Sequence, residues 1–207
     1  MTSPIAAFDL DGTLLPFNSS FLFCRFLEKK SFLTKLDLLF CSRIYLKHKL
    51  GLCSLKELHT LVFARLFRNQ PLSILLDYKK AFFYQTIKWY APALQKLRAL
   101  QQEGYSSVLC SSSPGFLVEG FAKRIGVSEV IATEYEIDKE GRLVEISRLV
   151  DGIEKKEALE KRFGGYEVAF SDSHLDLPFL EGACTPYAVR PTFRLRQIAK
   201  KRNWEIL

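Results

Sequence analysis

The chain has 207 residues, 48% hydrophobic and 26% charged, with a mean hydropathy of +0.01 and a formal net charge of +7. This balance excludes a disordered or fibrous chain, and the length suits one domain, or one domain with a sizeable insertion. A membrane span needs about 18 uninterrupted apolar residues; the longest apolar-rich region, Phe32 to Leu50, is broken by Lys35, Asp37, Arg43, Lys47 and Lys49. The five cysteines (Cys24, Cys41, Cys53, Cys110 and Cys184) form no C-x-x-C pair and lie in apolar contexts, as expected of reduced thiols. No basic segment precedes the first apolar run, so a secretory leader is not expected and the chain reads as a soluble cytoplasmic protein.

The charge is unevenly distributed. Between Phe17 and Tyr90 there are 13 basic residues and four acidic ones, a net +9, which leaves −2 for the remainder of the 30 basic and 23 acidic residues. Such a surplus suggests a solvated helical surface, an anionic substrate or an anionic membrane surface. Nucleic acid is not an expected partner, because no RNA-binding motif or Cys/His finger is present.

In chain order, Ile5 to Phe8 is a short apolar run that ends at Asp9 and predicts a buried strand. From Ser19 to about Lys88 the spacing is helical. Asn18-Ser19-Ser20 offers an N-cap, and Gly51 and Gln70-Pro71 mark breaks, so three or four helices are expected. After Trp89 strands and helices alternate. Helices are expected over Ala91 to Glu103, Phe116 to Arg124, Lys155 to Phe163 and Thr192 to Arg202. Strands are expected over Ser106 to Cys110, Val130 to Ala132, Tyr166 to Phe170 and Tyr187 to Val189. Glu134 to Ser147 reads as a hairpin turning at Lys139-Glu140-Gly141. This order predicts an α/β fold, a Rossmann-like parallel sheet with helices on both faces. The helices between the first two strands are too long for a crossover, so residues 17–88 are expected to form an inserted helical cap and residues 1–16 and 89–207 the core domain.

Three polar clusters each follow an apolar run: Asp9-Leu10-Asp11-Gly12-Thr13, Ser111-Ser112-Ser113, and Ser171-Asp172 with Asp176. Ligands of such sheets bind beyond the carboxyl ends of the strands. Taken singly, the first cluster would fit a turn or a calcium loop, the serines a helix N-cap, Asp172 a cap and Lys155 a solvated face. Taken together and in order, D-L-D-G-T-L, a strand ending in serine, a lysine and S-D-S-x-x-D resemble the haloacid-dehalogenase-like hydrolase superfamily over nearly the whole chain. S-S-S-P-G-F-L and S-D-S-H-L-D-L-P-F-L-E resemble its phosphoserine-phosphatase-like branch, in which a helical cap lies between the first two motifs.

The resemblance implies a Mg²⁺-dependent phosphatase. Hydrolysis of a phosphomonoester is extremely slow without a catalyst, and two displacements through a covalent intermediate ease it. Asp9 would attack phosphorus, and Asp11 would protonate the departing alcohol and later deprotonate water. Clustered carboxylates and a phosphate call for a hard cation such as Mg²⁺. Asp9, the backbone carbonyl of Asp11 and Asp172 would hold it, and Asp176 would orient the metal's waters or the lysine. Phosphate would be gripped by the Ser111 hydroxyl, by the backbone N–H groups of Ser112 and Ser113 and by Lys155, with Lys156 the adjacent alternative. Gly12 would admit the close approach of backbone, and Thr13 would cap the following turn or hydrogen-bond within the loop. His174 is expected to face surface or substrate rather than metal, and His48 and His59 to lie on the surface.

The residues that would read serine are missing. Asn18 stands where that branch has a glutamate for the substrate ammonium, and only Lys56 lies near the place of its carboxylate-binding arginine. Ser112-Ser113 replaces Gly-Gly, and Leu175 stands where an asparagine is expected. The expected substrate is a small phosphomonoester other than phosphoserine. A lysophospholipid or phosphatidylglycerol phosphate is a candidate, with peripheral membrane contact through the basic cap. Phosphoserine phosphatase itself, a phosphotransferase using the same site and a binding protein without turnover are the alternatives.

Overall fold

The computed structural model describes residues 3–207. In chain order the elements are β1 (Ile5–Asp9), α1 (Ser19–Lys29), α2 (Lys35–Lys49), α3 (Leu55–Leu66), α4 (Leu72–Phe82), α5 (Ala91–Gln102), β2 (Ser106–Pro114), α6 (Gly115–Arg124), β3 (Glu129–Ile137), β4 (Leu143–Arg148), α7 (Gly152–Phe163), β5 (Val168–Ser171), a 3-10 turn (His174–Asp176), α8 (Leu177–Glu181), β6 (Thr185–Ala188), α9 (Phe193–Lys201) and β7 (Glu205–Ile206). The seven strands are ordered β4-β3-β2-β1-β5-β6-β7. β1 lies parallel to β2 and β5, β6 lies parallel to β5 and β7, and β3 pairs antiparallel with β4. The expected mostly parallel α/β sheet is present.

The chain divides into two compact units, one made of Met1–Ser19, Ile87–Ala132 and Val150–Leu207, the other of Ser20–Thr86 and Thr133–Leu149. In the first, every residue of β1 is buried, as expected of a strand covered on both faces. Ala7, Val108, Cys110 and Ala169 pack with Leu159, Phe179, Leu195 and their neighbours. The alternate positions contribute stacked rings: Phe8 lies 4.3 Å from Phe170, and Phe170 lies 4.5 Å from Tyr187. β2 continues through Ser111–Ser113 to Pro114, so these serines lie within a strand rather than after one. β7 and α8, with only two and five residues, carry too little periodic signal to be read from sequence.

The second unit contains four helices, at the upper end of the expected number. Capping boxes begin two of them, Thr34 with Asp37 at α2 and Ser54 with Glu57 at α3. The hairpin of β3 and β4 turns where expected, and the Asp138 carboxylate accepts from the backbone N–H groups of Glu140 and Arg142. Thr133–Leu149 groups with these helices, although the sequence reading keeps it in the core. Asn69 N–H donates to Leu143 C=O, Leu72 N–H to Gly141 C=O and Leu143 N–H to Gln70 C=O. Phe63 also stacks on Tyr135 at 5.3 Å. The two histidines of this unit are half-buried rather than on the surface. His48 Nδ1 bonds Cys53 C=O at 2.9 Å, and burial, with His48 nearby, lowers the pKa of His59 to about 4.

Candidate active site

Strand register brings the polar clusters to one rim of the first unit. Asp9, the last residue of β1, pairs with Cys110, so Ser111 follows at the same level of β2. Phe8 pairs with Phe170, which puts Ser171 and then Asp172 beside Asp9 on the other flank. Three adjacent parallel strands therefore deliver their polar residues to the carboxyl edge of the sheet centre.

Asp9 is 6% exposed, and both of its oxygens are held. Lys155 Nζ donates to Oδ1 at 2.6 Å, and Thr13 Oγ1 donates to Oδ2 at 3.0 Å. Lys155 also donates to Asp176 Oδ2 at 2.8 Å, and Ser171 Oγ donates to the same oxygen at 2.6 Å. Asp176 thus holds the lysine, the second of the two roles expected for it. Of the adjacent lysines, only Lys155 reaches Asp9; Lys156 Nζ lies 3.8 Å from Glu160 on the outer side of α7. Burial is the largest single influence on both charges. It raises the Asp9 pKa, an effect Lys155 opposes and Asp176 and Asp172 reinforce, so the carboxyl stands well above the ordinary carboxylate range. It would lower the Lys155 pKa, but Asp176 and Asp9 together outweigh it and raise the pKa.

Asp11 is clasped separately. Ser19 N–H donates to Oδ1 at 2.7 Å, Ser113 Oγ donates to Oδ2 at 2.7 Å, and Ser19 Oγ donates to Ser113 Oγ at 3.0 Å. Burial raises its pKa while the bonds from Ser113 and Ser19 hold the rise back. The Ser113 N–H, expected to face phosphate, instead donates to Ser111 Oγ at 3.1 Å. The hydroxyls of Thr13 and Ser113 are both turned onto carboxylates. The strand geometry of Ser111–Ser113 explains this, because alternate side chains share a face and Ser113 comes over Asp11 beside Ser111.

Two glycines permit the close contacts at the rim. A Cβ on Gly12, whose φ is +83°, would lie 2.3 Å from Asp172 Oδ2, so the loop after β1 can touch that carboxylate only as glycine. A Cβ on Gly152 would lie 2.3 Å from Leu175 C=O, so glycine lets the first turn of α7 settle on the 3-10 turn that carries Asp176.

The rim suits a hard divalent cation. Lys155 pairs with both Asp9 and Asp176, and Asp172 is close enough to raise the Asp9 pKa further, so three carboxylates gather oxygen donors at the rim. Among the described residues no three His, Cys, Asp or Glu side chains converge as a ready-made metal cluster. Asp11 in particular points its carboxylate at Ser19 and Ser113 rather than at Asp9 and Asp172. With Asp176 engaged by Lys155 and Ser171, Asp9 and Asp172 are the carboxylates that can serve as donors, which matches Mg²⁺, a cation that binds through one or two carboxylates and retains waters.

A family model for haloacid dehalogenase-like hydrolases matches residues 6–181. The chain belongs to the haloacid dehalogenase-like hydrolase family. It is 25% identical to the histidinol-phosphatase of Neisseria meningitidis serogroup C (strain 8013), over 98% of this chain and 97% of that one. Among solved structures, a protein of unknown function from Bordetella pertussis Tohama I superposes with a TM-score of 0.87 at 22% identity, covering 100% and 99% of the two chains. A phosphoserine phosphatase solved as a phospho-aspartyl intermediate analogue superposes with a TM-score of 0.69 at 18% identity, covering 100% and 93%.

In this haloacid dehalogenase-like hydrolase, sequence reasoning missed three residues of the rim. Ser19 reads as part of a helix cap, yet its N–H and hydroxyl both serve the Asp11 network. Ser171 opens S-D-S-x-x-D and stands in the third polar cluster with no role given to it, yet its hydroxyl fixes Asp176. Gly152 could have been noticed as the glycine directly after the Asp151 cap of α7. His174 is half-buried beside these residues.

Proposed function

We propose that the protein is a Mg²⁺-dependent phosphomonoesterase that works through an aspartyl-phosphate on Asp9. The observation that carries this reading is the Asp9 carboxylate, fixed by Lys155 and Thr13 at the end of the central strand beside Ser111 and Asp172. An Asp9 oxygen attacks phosphorus, the ester P–O bond breaks, and Asp11 gives its proton to the departing alkoxide. Asp11 then takes a proton from water, the resulting hydroxide attacks phosphorus, and the Asp9–phosphorus bond breaks to release phosphate. The raised pKa of Asp11 suits a carboxyl that must start protonated. Asp9, Asp172 and the Asp11 backbone carbonyl would hold Mg²⁺, whose chemistry is to offset the charge gathered on carboxylates and phosphate. Ser111, the Ser112 N–H and Lys155 would bind the phosphate oxygens, and Lys155 would restrain Asp9 between turnovers. The helices of the second unit would act as the cap.

The substrate is a phosphomonoester other than phosphoserine, since Asn18 offers no charge to an ammonium. A panel of an aryl phosphate, histidinol phosphate, phosphoserine, lysophosphatidate and phosphatidylglycerol phosphate tests this. Turnover is expected with Mg²⁺ and is expected to vanish with a chelator. Phosphoserine is expected at least about tenfold below the best substrate, the cost of one missing charged contact. Metal-independent turnover, or phosphoserine as the best substrate, contradicts the reading. Product appearing on added glycerol faster than on water would make the enzyme a phosphotransferase.

Ser113 acts as a positioning residue for Asp11. Ser113→Ala is expected to lower kcat about tenfold, part of the contribution of an oriented acid–base group, while KM stays within about twofold. Steady-state kinetics on the aryl phosphate provide the check. A rise in KM with kcat unchanged would place Ser113 on the substrate instead.

A further inference from the structure

α2 carries apolar side chains on the face it turns to solvent. Leu36, Leu39 and Leu46, with Leu50 at the C-cap, are 70%, 54%, 58% and 65% exposed. Their spacing of three, seven and four residues keeps them on one stripe of the helix. The opposite face is the packed one, with Cys41 and Ile44 buried. Leu52, just past the helix, is 73% exposed and extends the apolar end. A soluble surface normally scatters such side chains; a contiguous row marks a contact surface.

The charges around the row are of one sign. Arg43 lies within the stripe, Lys47 borders one side, and Lys35 and Lys49 border the other. The one acidic residue of α2, Asp37, is engaged by the Thr34 hydroxyl at 2.7 Å and by Arg65 at 2.9 Å. A helix whose solvent-facing stripe carries leucines with cations on its flanks suits the boundary of an anionic bilayer, where long basic side chains reach back to the headgroups. A second copy of the chain fits poorly. Self-pairing would bury Arg43 in the seam and bring lysines against lysines, with no free carboxylate of α2 to pair them.

We propose that α2 lies flat on anionic lipid, with Leu36, Leu39, Leu46 and Leu50 in the acyl boundary and Lys35, Arg43, Lys47 and Lys49 against the headgroups. The helix, about 22 Å long at 15 residues, is ample for an interfacial segment. This docking is independent of the chemistry at Asp9 and would bring the enzyme to a surface whether or not its substrate is a lipid.

Co-sedimentation of the full chain with vesicles of phosphatidylcholine, with and without 30 mol% (about a third) phosphatidylglycerol, tests the proposal. Binding is expected only with the anionic lipid and is expected to weaken with salt. Leu39→Gln with Leu46→Gln should reduce partitioning about tenfold or more, and Lys47→Gln with Lys49→Gln should reduce it by about fivefold per cation removed. All four sites are exposed, so aryl phosphatase activity and Tm without vesicles should stay at the wild-type level, which separates failure of docking from failure of the phosphatase reading. Equal binding to neutral vesicles, no binding at all, or anionic binding unaffected by the leucine changes would overturn the proposal. So would a wild-type dimer that the leucine changes convert to monomer, because the face would then belong to a second copy.

Discussion

Asp9→Asn is expected to lower kcat on an aryl phosphate by at least about four orders of magnitude, the loss that follows removal of a covalent nucleophile. The amide keeps the shape of the carboxylate, with its oxygen placed to accept from Lys155 and its NH2 to donate to the Thr13 hydroxyl, so the fold should persist. Its stability should even rise slightly. Burial disfavours the Asp9 charge, and Asp176 and Asp172 add to that cost, so a neutral group relieves repulsion at the rim. Lys155 retains Asp176 as a counter-charge. The expectation is thus an inactive enzyme with a Tm equal to or above that of the wild type, the trade expected of a residue kept for chemistry rather than stability. Kinetics and a thermal melt on the same sample check it. Loss of activity together with loss of the fold would mean that Asp9 serves structure.

Lys155→Met should have the opposite signature, a large loss of both stability and activity. The ammonium is almost fully enclosed, 2.6 Å from Asp9 and 2.8 Å from Asp176. Removing it leaves two buried carboxylates facing each other without a cation, and breaking such a cluster costs about 3–5 kcal/mol. For a chain of this length that corresponds to roughly 10 °C in Tm. The deficit has a pH signature. Without the lysine, the folded-state pKa of Asp9 rises further above its unfolded value. A group with a raised folded pKa contributes its stability at low pH and loses it as pH climbs through that value. The difference between variant and wild type should therefore narrow from pH 7 towards pH 5. Adding Asp176→Asn to Lys155→Met should restore part of the Tm and none of the activity. Melts across pH provide the check; a deficit that does not depend on pH would mean that packing on Phe179, rather than charge, is what the lysine supplies.

The fold and the catalytic rim differ in how far the sequence exposes them. Strands such as Ile5–Asp9 and Val168–Ser171 are short apolar runs closed by an acidic or hydroxyl residue, so both the strand and the functional residue at its end can be read together. Lys155 is legible only through the family resemblance, since alone it reads as a solvated face and its helix is expected to begin at Lys155 rather than at Gly152 behind the Asp151 cap. What stays hidden depends on contacts distant in sequence. Nothing local in Thr133–Leu149 shows that its backbone pairs with Asn69 and Leu72, which is why a hairpin assigned to the core belongs with the helices. Ser113 is expected to turn its N–H to phosphate and Thr13 to bond within its loop; that the Ser113 hydroxyl meets Asp11 is set by the register of β1 and β2, which nothing local in the sequence shows. The leucines of α2 follow a helical spacing that reads equally well as core, and only the packing of Cys41 and Ile44 shows that the row points outward.

The measurement closest to the central claim is an acid-quenched single turnover with a radiolabelled phosphomonoester and Mg²⁺, followed by digestion and mass analysis. Transient label is expected on the peptide that carries Asp9, lost at alkaline pH as an acyl phosphate should be, and absent in Asp9→Asn. Label on another residue, or full turnover with no labelled protein and oxygen from heavy water entering phosphate in one direct step, would contradict it.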